Sequence, residues 1–337
     1  MTDGLAEPEL AGLTAAAGSA GEDIKAGLAL AAQLGPRLPF PGGGDTAARW
    51  RMLAAVAAGD LTAARILEPH ADALAILAEA GESAADGCWG VFAAEAPGNK
   101  LKAEAERGGW RLSGTKPWCS LGTVLDRALV TAHGPDGVAL FAVDLRQPSV
   151  TGEVAGWVSR GLRAVTSGPL HFDAVPAEPV GAAGWYLTRP GFAWGGIGVA
   201  ACWYGAAWAL ADTLRQSLAT RAPDPIRDLN LGRADVGLHA ASRCLTGAAA
   251  DVDAGCALGA IGALLAVRVR SVVAAAAELA VEQVGHALGP APLAFDEPHA
   301  RRVADLLVYL RQHHAERDLA DVGARLRELP SHGMPPW

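Results

Sequence analysis

The sequence contains no basic run longer than a pair of residues, and its 28 Lys and Arg are outnumbered by 36 Asp and Glu, which gives a net charge of −8. Proteins that bind nucleic acids cluster cationic side chains against the phosphates, so DNA and RNA are excluded as partners. The five cysteines are odd in number and form no CxxC pair, which excludes a disulfide framework and a zinc ribbon. These absences favour a protein of the reducing cytoplasm.

Signals for secretion and for membrane insertion are also lacking. The first ten residues, MTDGLAEPEL, are acidic where a signal peptide would be basic, and no apolar segment follows them. Residues 190–211 carry no charge over 22 positions, but they consist mainly of Gly and Ala, open with Pro-Gly and have no flanking cluster of Lys or Arg. This stretch therefore predicts a buried core helix, and no membrane partner is expected.

The composition and hydrophobic pattern of the sequence change twice along its 337 residues, of which 51% are hydrophobic. An Ala- and Leu-rich part with helical spacing is followed by short alternating runs broken by turns, and then by long Ala-rich segments. In the middle part, ALVTA and VALFAVDL flank an HGPDG turn, which predicts a hairpin. The sequence therefore predicts an α+β fold with an N-terminal helical domain (1–85), a middle antiparallel β-barrel-like domain (86–188) and a C-terminal four-helix bundle (189–337).

Segments rich in Pro and Gly predict where several helices begin and end. A loop rich in Pro and Gly, residues 34–46, is expected to precede a helix that is capped at Asp45 or Thr46. In the bundle, RAPDPIRD and GPAPLAFDEP separate the helical segments. The four expected helices of the bundle cover residues 197–221, 231–254, 258–288 and 298 to about 329.

One segment of the middle part carries a family resemblance. Residues 114–122 read GTKPWCSLG, after a strand that contains WGVFAAE and before the strand that follows Asp126. This order resembles the flavin-binding middle domain of the acyl-CoA dehydrogenase family, and the similarity extends over roughly residues 50–329. The family has the three-domain fold predicted above.

The resemblance implies roles for four residues around a flavin ring. Trp118 matches the tryptophan that packs on the isoalloxazine, and Ser120 matches the hydroxyl that bonds near flavin N5. Phe92 lies one residue from the family's aromatic position, and Ala94 matches a threonine whose hydroxyl meets the pyrimidine end of the ring. Ala94 cannot supply that bond. The alternative for Trp118 is an ordinary core tryptophan.

The resemblance also implies that FAD extends to a neighbouring subunit. Arg221 stands where the family places an arginine against the pyrophosphate, although a solvated arginine at a helix end is the alternative. Gln283 and His286 lie in QVGHALG, which is similar to a Q-x-x-G-G-x-G segment that wraps the cofactor across the dimer. His286 replaces a glycine there and reduces backbone freedom.

The catalytic carboxylate of the family is missing. Its usual position near the C-terminus falls on His313, and a minority position, at the start of the first bundle helix, falls near Gly191. Alignment favours His313 as the base, periodicity points His314 inward, and Glu316 can orient His313 or act as the base itself. A structural histidine pair is the alternative.

The expected function follows from the resemblance: an FAD-dependent oxidoreductase that desaturates an acyl-CoA or other acyl thioester between its α and β carbons, as a homodimer or homotetramer. The sequence does not identify the electron-transfer acceptor. A flavin monooxygenase of the same fold and a non-enzymatic flavin-fold protein are the alternatives. His70 and His171 are expected to be packed or hydrogen-bonded, and no spacing predicts a metal site.

Overall fold

The structure is a computed structural model that describes residues 7–98, 100–154 and 156–328. Its first part consists of helices that pack on one another around a core containing Leu53, Val56 and Leu67. These helices are α1 (Glu7–Ala20), α2 (Ile24–Leu34), α3 (Thr46–Gly59) and α4 (Leu61–Glu79).

Helix α3 begins at Thr46, as the sequence predicts, but its cap comes from elsewhere. The Asp45 side chain makes no capping bond. Instead the carboxylate of Asp253, far along the chain, accepts the Thr46 N–H at 2.9 Å and the Thr46 hydroxyl at 2.6 Å. A carboxylate from a distant part of the chain can accept a free N–H at a helix N-terminus and interact favourably with the positive end of the helix dipole.

The middle part forms a single seven-stranded sheet. Its strands are β1 (Trp89–Phe92), β2 (Lys102–Glu106), β3 (Gly109–Ser120), β4 (Arg127–Gly134), β5 (Gly137–Asp144), β6 (Val150–Gly152) and β7 (Ser167–Val180). The predicted hairpin is confirmed, because β4 and β5 pair antiparallel down to Gly134 and Gly137.

The sheet closes on itself. Strand β5 pairs with β4 on one side and with β7 on the other, and the ring continues through β3 and β2 back to β4. Closure leaves few free strand edges, which protects the sheet from pairing with other chains. The barrel-like prediction is confirmed, with one correction: β1 and β2 both pair parallel with β4, so the sheet is mixed.

The last part is helical. Two short helices, α5 (Trp185–Thr188) and α9 (Ala291–Phe295), accompany longer ones: α6 (Pro190–Ala219), α7 (Pro225–Asp253), α8 (Gly259–Leu288), α10 (Glu297–Tyr309) and α11 (Glu316–Glu328). Both predicted domain boundaries fall between helices or strands. The boundary after residue 188 leaves the short helix α5 in the middle domain. That division of the chain stays a proposal.

Helix α7 begins earlier than the sequence predicts. Pro225 occupies its first turn, where a missing N–H costs nothing, and the Asp224 carboxylate accepts the Ile226 N–H at 3.0 Å. The RAPDPIRD breaker therefore also starts the helix.

The fourth bundle helix, expected to run unbroken from 298 to about 329, is interrupted. After α10 the chain narrows to a 3₁₀ turn, His313 is extended, and Ala315 has a φ of 50°. Arg270 donates to the Gln312 carbonyl at 2.7 Å, and the Asp318 carboxylate accepts the His314 N–H at 3.1 Å. These side chains satisfy groups that a continuous helix would pair along its own axis.

The uncharged stretch at residues 190–211 is a core helix, as predicted: it forms most of α6, in which Ile197, Trp203 and Leu210 are buried. Within the described ranges, α8 is the helix long and apolar enough to cross a membrane by length and composition. It packs against α6 and α7 in the bundle.

Candidate functional site

Strand β3 changes direction where the KPWCS motif lies. Its pairing with β7 shifts register between Lys116 and Cys119, and both Trp118 and Leu121 have left-handed backbones, with φ of 58° and 56°. Such conformations cost of order 1–3 kcal/mol each for residues with a side chain and concentrate at functional sites. The kink leaves the Trp118 side chain 62% exposed, which excludes the alternative of a core tryptophan.

The ammonium of Lys116 holds the kink in place. It is buried and donates to the Glu95 carboxylate at 2.9 Å and to the Thr131 hydroxyl at 2.8 Å. These bonds tie β3 to β4 and to the segment after β1. Lys116 therefore has a structural role beneath the exposed Trp118.

Ser120 opens into a narrow pocket between the barrel and α4. Its hydroxyl contacts the Ser167 hydroxyl at 2.8 Å and accepts from the Arg65 guanidinium at 3.2 Å. The pocket is also lined by Ile66 and by the buried Phe92, and it holds only about 10 Å³. The structure thus brings Phe92 and Ser120 together, and a ligand needs side chains to move before it can enter.

A buried acid–base cluster lies behind Arg65. Its guanidinium is 3.7 Å from the Glu68 carboxylate and 5.6 Å from the centre of the Tyr309 ring. The Tyr309 hydroxyl donates to the same Glu68 oxygen at 3.4 Å. Burial raises the pKa of Glu68 to about 7, against the opposing charge of Arg65, and burial also raises the pKa of Tyr309.

Sequence analysis missed this cluster, although a signal was present. Arg65, Glu68 and Asp72 recur at helical spacing on α4, within a segment that is otherwise mostly apolar on that face. Charges on a buried stripe need partners or a function. Tyr309, the partner of Glu68, comes from α10, more than two hundred residues later, and periodicity cannot reveal it.

The break in the fourth helix decides which histidine points inward. His313 is 10% exposed, contacts the Ser271 hydroxyl at 3.1 Å through Nε2 and lies 3.7 Å from the Asp318 carboxylate. Burial lowers its pKa. His314 is 65% exposed and bonds to Asp318 on the surface. The periodicity argument for His314 is therefore wrong about orientation, because it assumed a continuous helix.

The remaining candidates lie apart from the pocket. Ala94 and Glu316 are exposed, as is Arg221 after the end of α6. His313 approaches the cluster through Trp203, whose ring centre lies 6.4 Å from His313 and 6.2 Å from Tyr309.

Two predicted FAD residues lie on α8. Gln283 is buried, and its Oε1 has no hydrogen-bond partner, whereas His286 is exposed in the last turn. Over the described ranges, no hydrogen bond joins either residue, or Arg221, to Trp118 or Ser120. A cofactor that contacts Trp118 and Ser120 in one subunit could reach these three residues only in another subunit.

The side chains at the end of β3 have the chemistry that a flavin ring needs. The exposed indole of Trp118 offers an apolar wall, and the Ser120 hydroxyl can donate or accept. A cavity of about 490 Å³, lined by Trp110, Arg127 and Glu178, lies at the opposite end of β3 and contains none of the predicted residues.

His70 and His171 are hydrogen-bonded, as the sequence predicts. His70 accepts the Trp89 N–H at 3.2 Å, and burial lowers its pKa to about 4. His171 contacts the Thr115 hydroxyl at 3.0 Å. In the part of the chain that the structure describes, no three His, Cys, Asp or Glu side chains are grouped to hold a metal ion.

Comparison with known proteins shows the fold. A variant of the steroid acyl-CoA dehydrogenase Tcur3481-Tcur3483 is 22% identical over 95% of this chain and 97% of its own, with a TM-score of 0.73. Butyryl-CoA dehydrogenase from Megasphaera elsdenii is 16% identical over 97% and 100%, with a TM-score of 0.78. TdsC from Paenibacillus sp. A11-2, in complex with FMN and indole, is 17% identical over 94% and 95%, with a TM-score of 0.79.

No protein-family model and no curated protein matches the sequence. The architecture is nevertheless that of the flavoenzymes above, over nearly the whole length of both chains. The protein has the acyl-CoA dehydrogenase fold, which acyl-CoA dehydrogenases and flavin monooxygenases share.

Proposed function

We propose that the protein is a flavin-dependent oxidoreductase that desaturates an acyl thioester between its α and β carbons. The observation that carries this proposal is the placement of Trp118 and Ser120 at the strained end of β3, next to the buried pair of Glu68 and Tyr309. A site for an aromatic ring therefore adjoins a carboxyl group, that of Glu68, which can take up a proton. A cytoplasmic location belongs to the same proposal.

The chain's own residues would prepare the reaction. The chemistry that a flavin would supply when bound is two-electron oxidation. Trp118 would pack on the ring and Ser120 would hydrogen-bond to its N5 edge, while α4 and α10 exclude water from the acyl group. The roles of His313, His314 and Glu316 in proton transfer stay predictions of the sequence.

The cofactor proposed is FAD, with Arg221, Gln283 and His286 contributed by a neighbouring subunit. FMN is the competing cofactor, because TdsC binds it on the same fold. Denaturing the purified protein and separating the released flavin by chromatography distinguishes the two. An excess of FMN would remove the roles assigned to Arg221 and His286.

A flavin monooxygenase is the second candidate. The observation that favours it is the inward imidazole of His313 where the sequence lacks the family's carboxylate. Anaerobic reduction of the flavin by a panel of acyl-CoA thioesters supports the dehydrogenase. Consumption of oxygen only with externally reduced flavin supports the monooxygenase, and a protein that does neither has lost the chemistry.

Replacement of Trp118 by alanine is expected to lower flavin occupancy at least tenfold, since the variant loses an aromatic wall. Ser120→Ala should retain more flavin, because it loses only one hydrogen bond, worth about 1 kcal/mol. Val158→Ala is the matched control, since Val158 is 84% exposed elsewhere on the barrel domain. The measurement is flavin absorbance per chain after dialysis, and full retention in both site variants would contradict the assignment.

The protein is also expected to assemble as a homodimer or homotetramer through its bundle. Trp208, Val236 and Ile261, on α6, α7 and α8, are 48%, 70% and 63% exposed. Exposed apolar side chains on neighbouring helices are typical of subunit interfaces. Sedimentation should give a multiple of 34.4 kDa, reduced by the double variant Val236→Glu/Ile261→Glu and unchanged by Val158→Glu. A stable flavin-bound monomer would refute the assembly.

A further inference from the structure

We propose that Glu68, on α4 of the N-terminal helices, is the base that removes the α-proton of the substrate. This inference rests on the proposed desaturation and names the residue that the sequence leaves open. The observation behind it is a line of contacts from the Ser120 hydroxyl through one guanidinium to the Glu68 carboxylate.

The pocket at Ser120 holds only about 10 Å³, so a substrate reaches the position between the two groups only when Arg65 moves. One nitrogen of its guanidinium bonds Ser120 at 3.2 Å, and the other lies 3.7 Å from Glu68. A thioester is planar like a guanidinium, so it can occupy the same gap. Arg65 would then donate to the thioester carbonyl oxygen, which makes the α-hydrogen more acidic.

The surroundings of Glu68 suit a base that works near neutral pH. Its side chain is only 10% exposed, and burial disfavours its charge. The charged and titratable groups around it come from six helices: Arg49 on α3, Arg65 and Asp72 on α4, Tyr186 on α5, Cys202 on α6, Arg270 on α8 and Tyr309 on α10. Their opposing effects leave a carboxyl with a pKa of about 7, which proton transfer at that pH favours.

His313 is in a poorer position than Glu68 to remove the α-proton. Its Nε2 faces the Ser271 hydroxyl and Asp318, and the fully buried Trp203 and Tyr309 stand between it and Arg65. Glu316 is exposed in the first turn of α11. Glu68 is the carboxylate connected to Ser120 through a single side chain.

The step balances with the electron acceptor of the proposed function. The α C–H bond breaks, and its proton goes to a carboxylate oxygen of Glu68. The electrons left on the α-carbon would form the second bond to the β-carbon, and the β-hydrogen would leave as hydride to the oxidised flavin that the proposed function supplies. The thioester is oxidised by two electrons, the flavin is reduced by two, and protonated Glu68 later releases its proton to water.

Exchange of the α-hydrogens of 3-thiaoctanoyl-CoA in D₂O, followed by NMR, tests proton removal without hydride transfer, because sulfur occupies the β position. In the flavin-loaded protein, Glu68→Gln should slow exchange by roughly 10² to 10⁴ with flavin content unchanged. Glu278→Gln, on the exposed face of α8, is the control and should change exchange less than about threefold. His313→Gln is the variant of the rival base. Retained exchange in Glu68→Gln, or its loss in His313→Gln, overturns the proposal.

The ionisation of Glu68 gives a readout that needs no turnover. The visible spectrum of the bound flavin should titrate with an apparent pKa near 7 in the parent and lose that transition in Glu68→Gln. Tyr309→Phe should move it to higher pH, because the phenol stabilises the carboxylate. No transition in the parent, or one that survives Glu68→Gln, counts against the proposal.

Failure of the proposed function looks different. A parent protein that binds no flavin, or whose flavin no thioester reduces, refutes the desaturation and the role of Glu68 with it. A parent that is reduced by a thioester, with equal reduction in Glu68→Gln, refutes only the role of Glu68.

Discussion

Glu68→Gln is expected to be more stable than the parent at pH 8, by about 3 kcal/mol. The pKa of Glu68 is about 7 in the fold against an ordinary 4.5, so between these two pH values the native state holds a proton that the unfolded chain has released. The contribution of this protonated carboxyl is complete below about pH 4.5 and is lost as the pH rises to about 7, at about 1.4 kcal/mol for each pH unit. Glutamine cannot ionise, so the variant keeps that stability.

Urea unfolding of parent and variant between pH 4.5 and 8 measures this difference. The two curves should coincide at the acid end and diverge with rising pH, and the other titrating groups cancel because both proteins share them. Glu278→Gln is the control: Glu278 is 52% exposed in its pair with Arg311, so its loss should cost less than about 1 kcal/mol. A variant less stable than the parent at pH 8 would mean that ionised Glu68 stabilises the fold through Arg65.

Gly205→Val is expected to cost about 3 kcal/mol or more, and a soluble folded protein need not result. Gly205 lies on α6 where this helix crosses α3, and any side chain there would overlap the backbone carbonyl of Ala54. Backbone atoms cannot rotate out of the way as a flexible side chain can. The helices would have to separate, which opens the core around Leu53 and Trp203.

Gly247→Ala provides the matched control for the glycine prediction. Gly247 is exposed on α7 with no atom near the position of a new methyl group, so the change should stabilise the protein by about 0.5–1 kcal/mol through helix propensity. Denaturant midpoints measure both variants. Equal stability of Gly205→Val and the parent would show that α3 and α6 are not in backbone contact.

The candidate site divides into a part that the sequence reveals and a part that it conceals. Trp118 and Ser120 belong to one short motif, which can be recognised in a single sequence without an alignment. The structure places both residues at one bend of β3. Phe92 comes from a nearby strand and shares the pocket of Ser120. Glu68 and Tyr309 carry no motif, because their pairing depends on how α4 packs against α10.

The sequence by itself determined the order of helical, sheet and helical parts, the β4–β5 hairpin and the core helix α6. These follow from hydrophobic periodicity and turn residues, which act between neighbours along the chain. Tertiary structure alone decided the closure of the barrel through β5 and β7, the capping of α3 by Asp253, the inward turn of His313 and the assembly of the Glu68 cluster. Each of these depends on groups distant in sequence, whose hydrogen bonds and burial exist only once the helices and strands have packed.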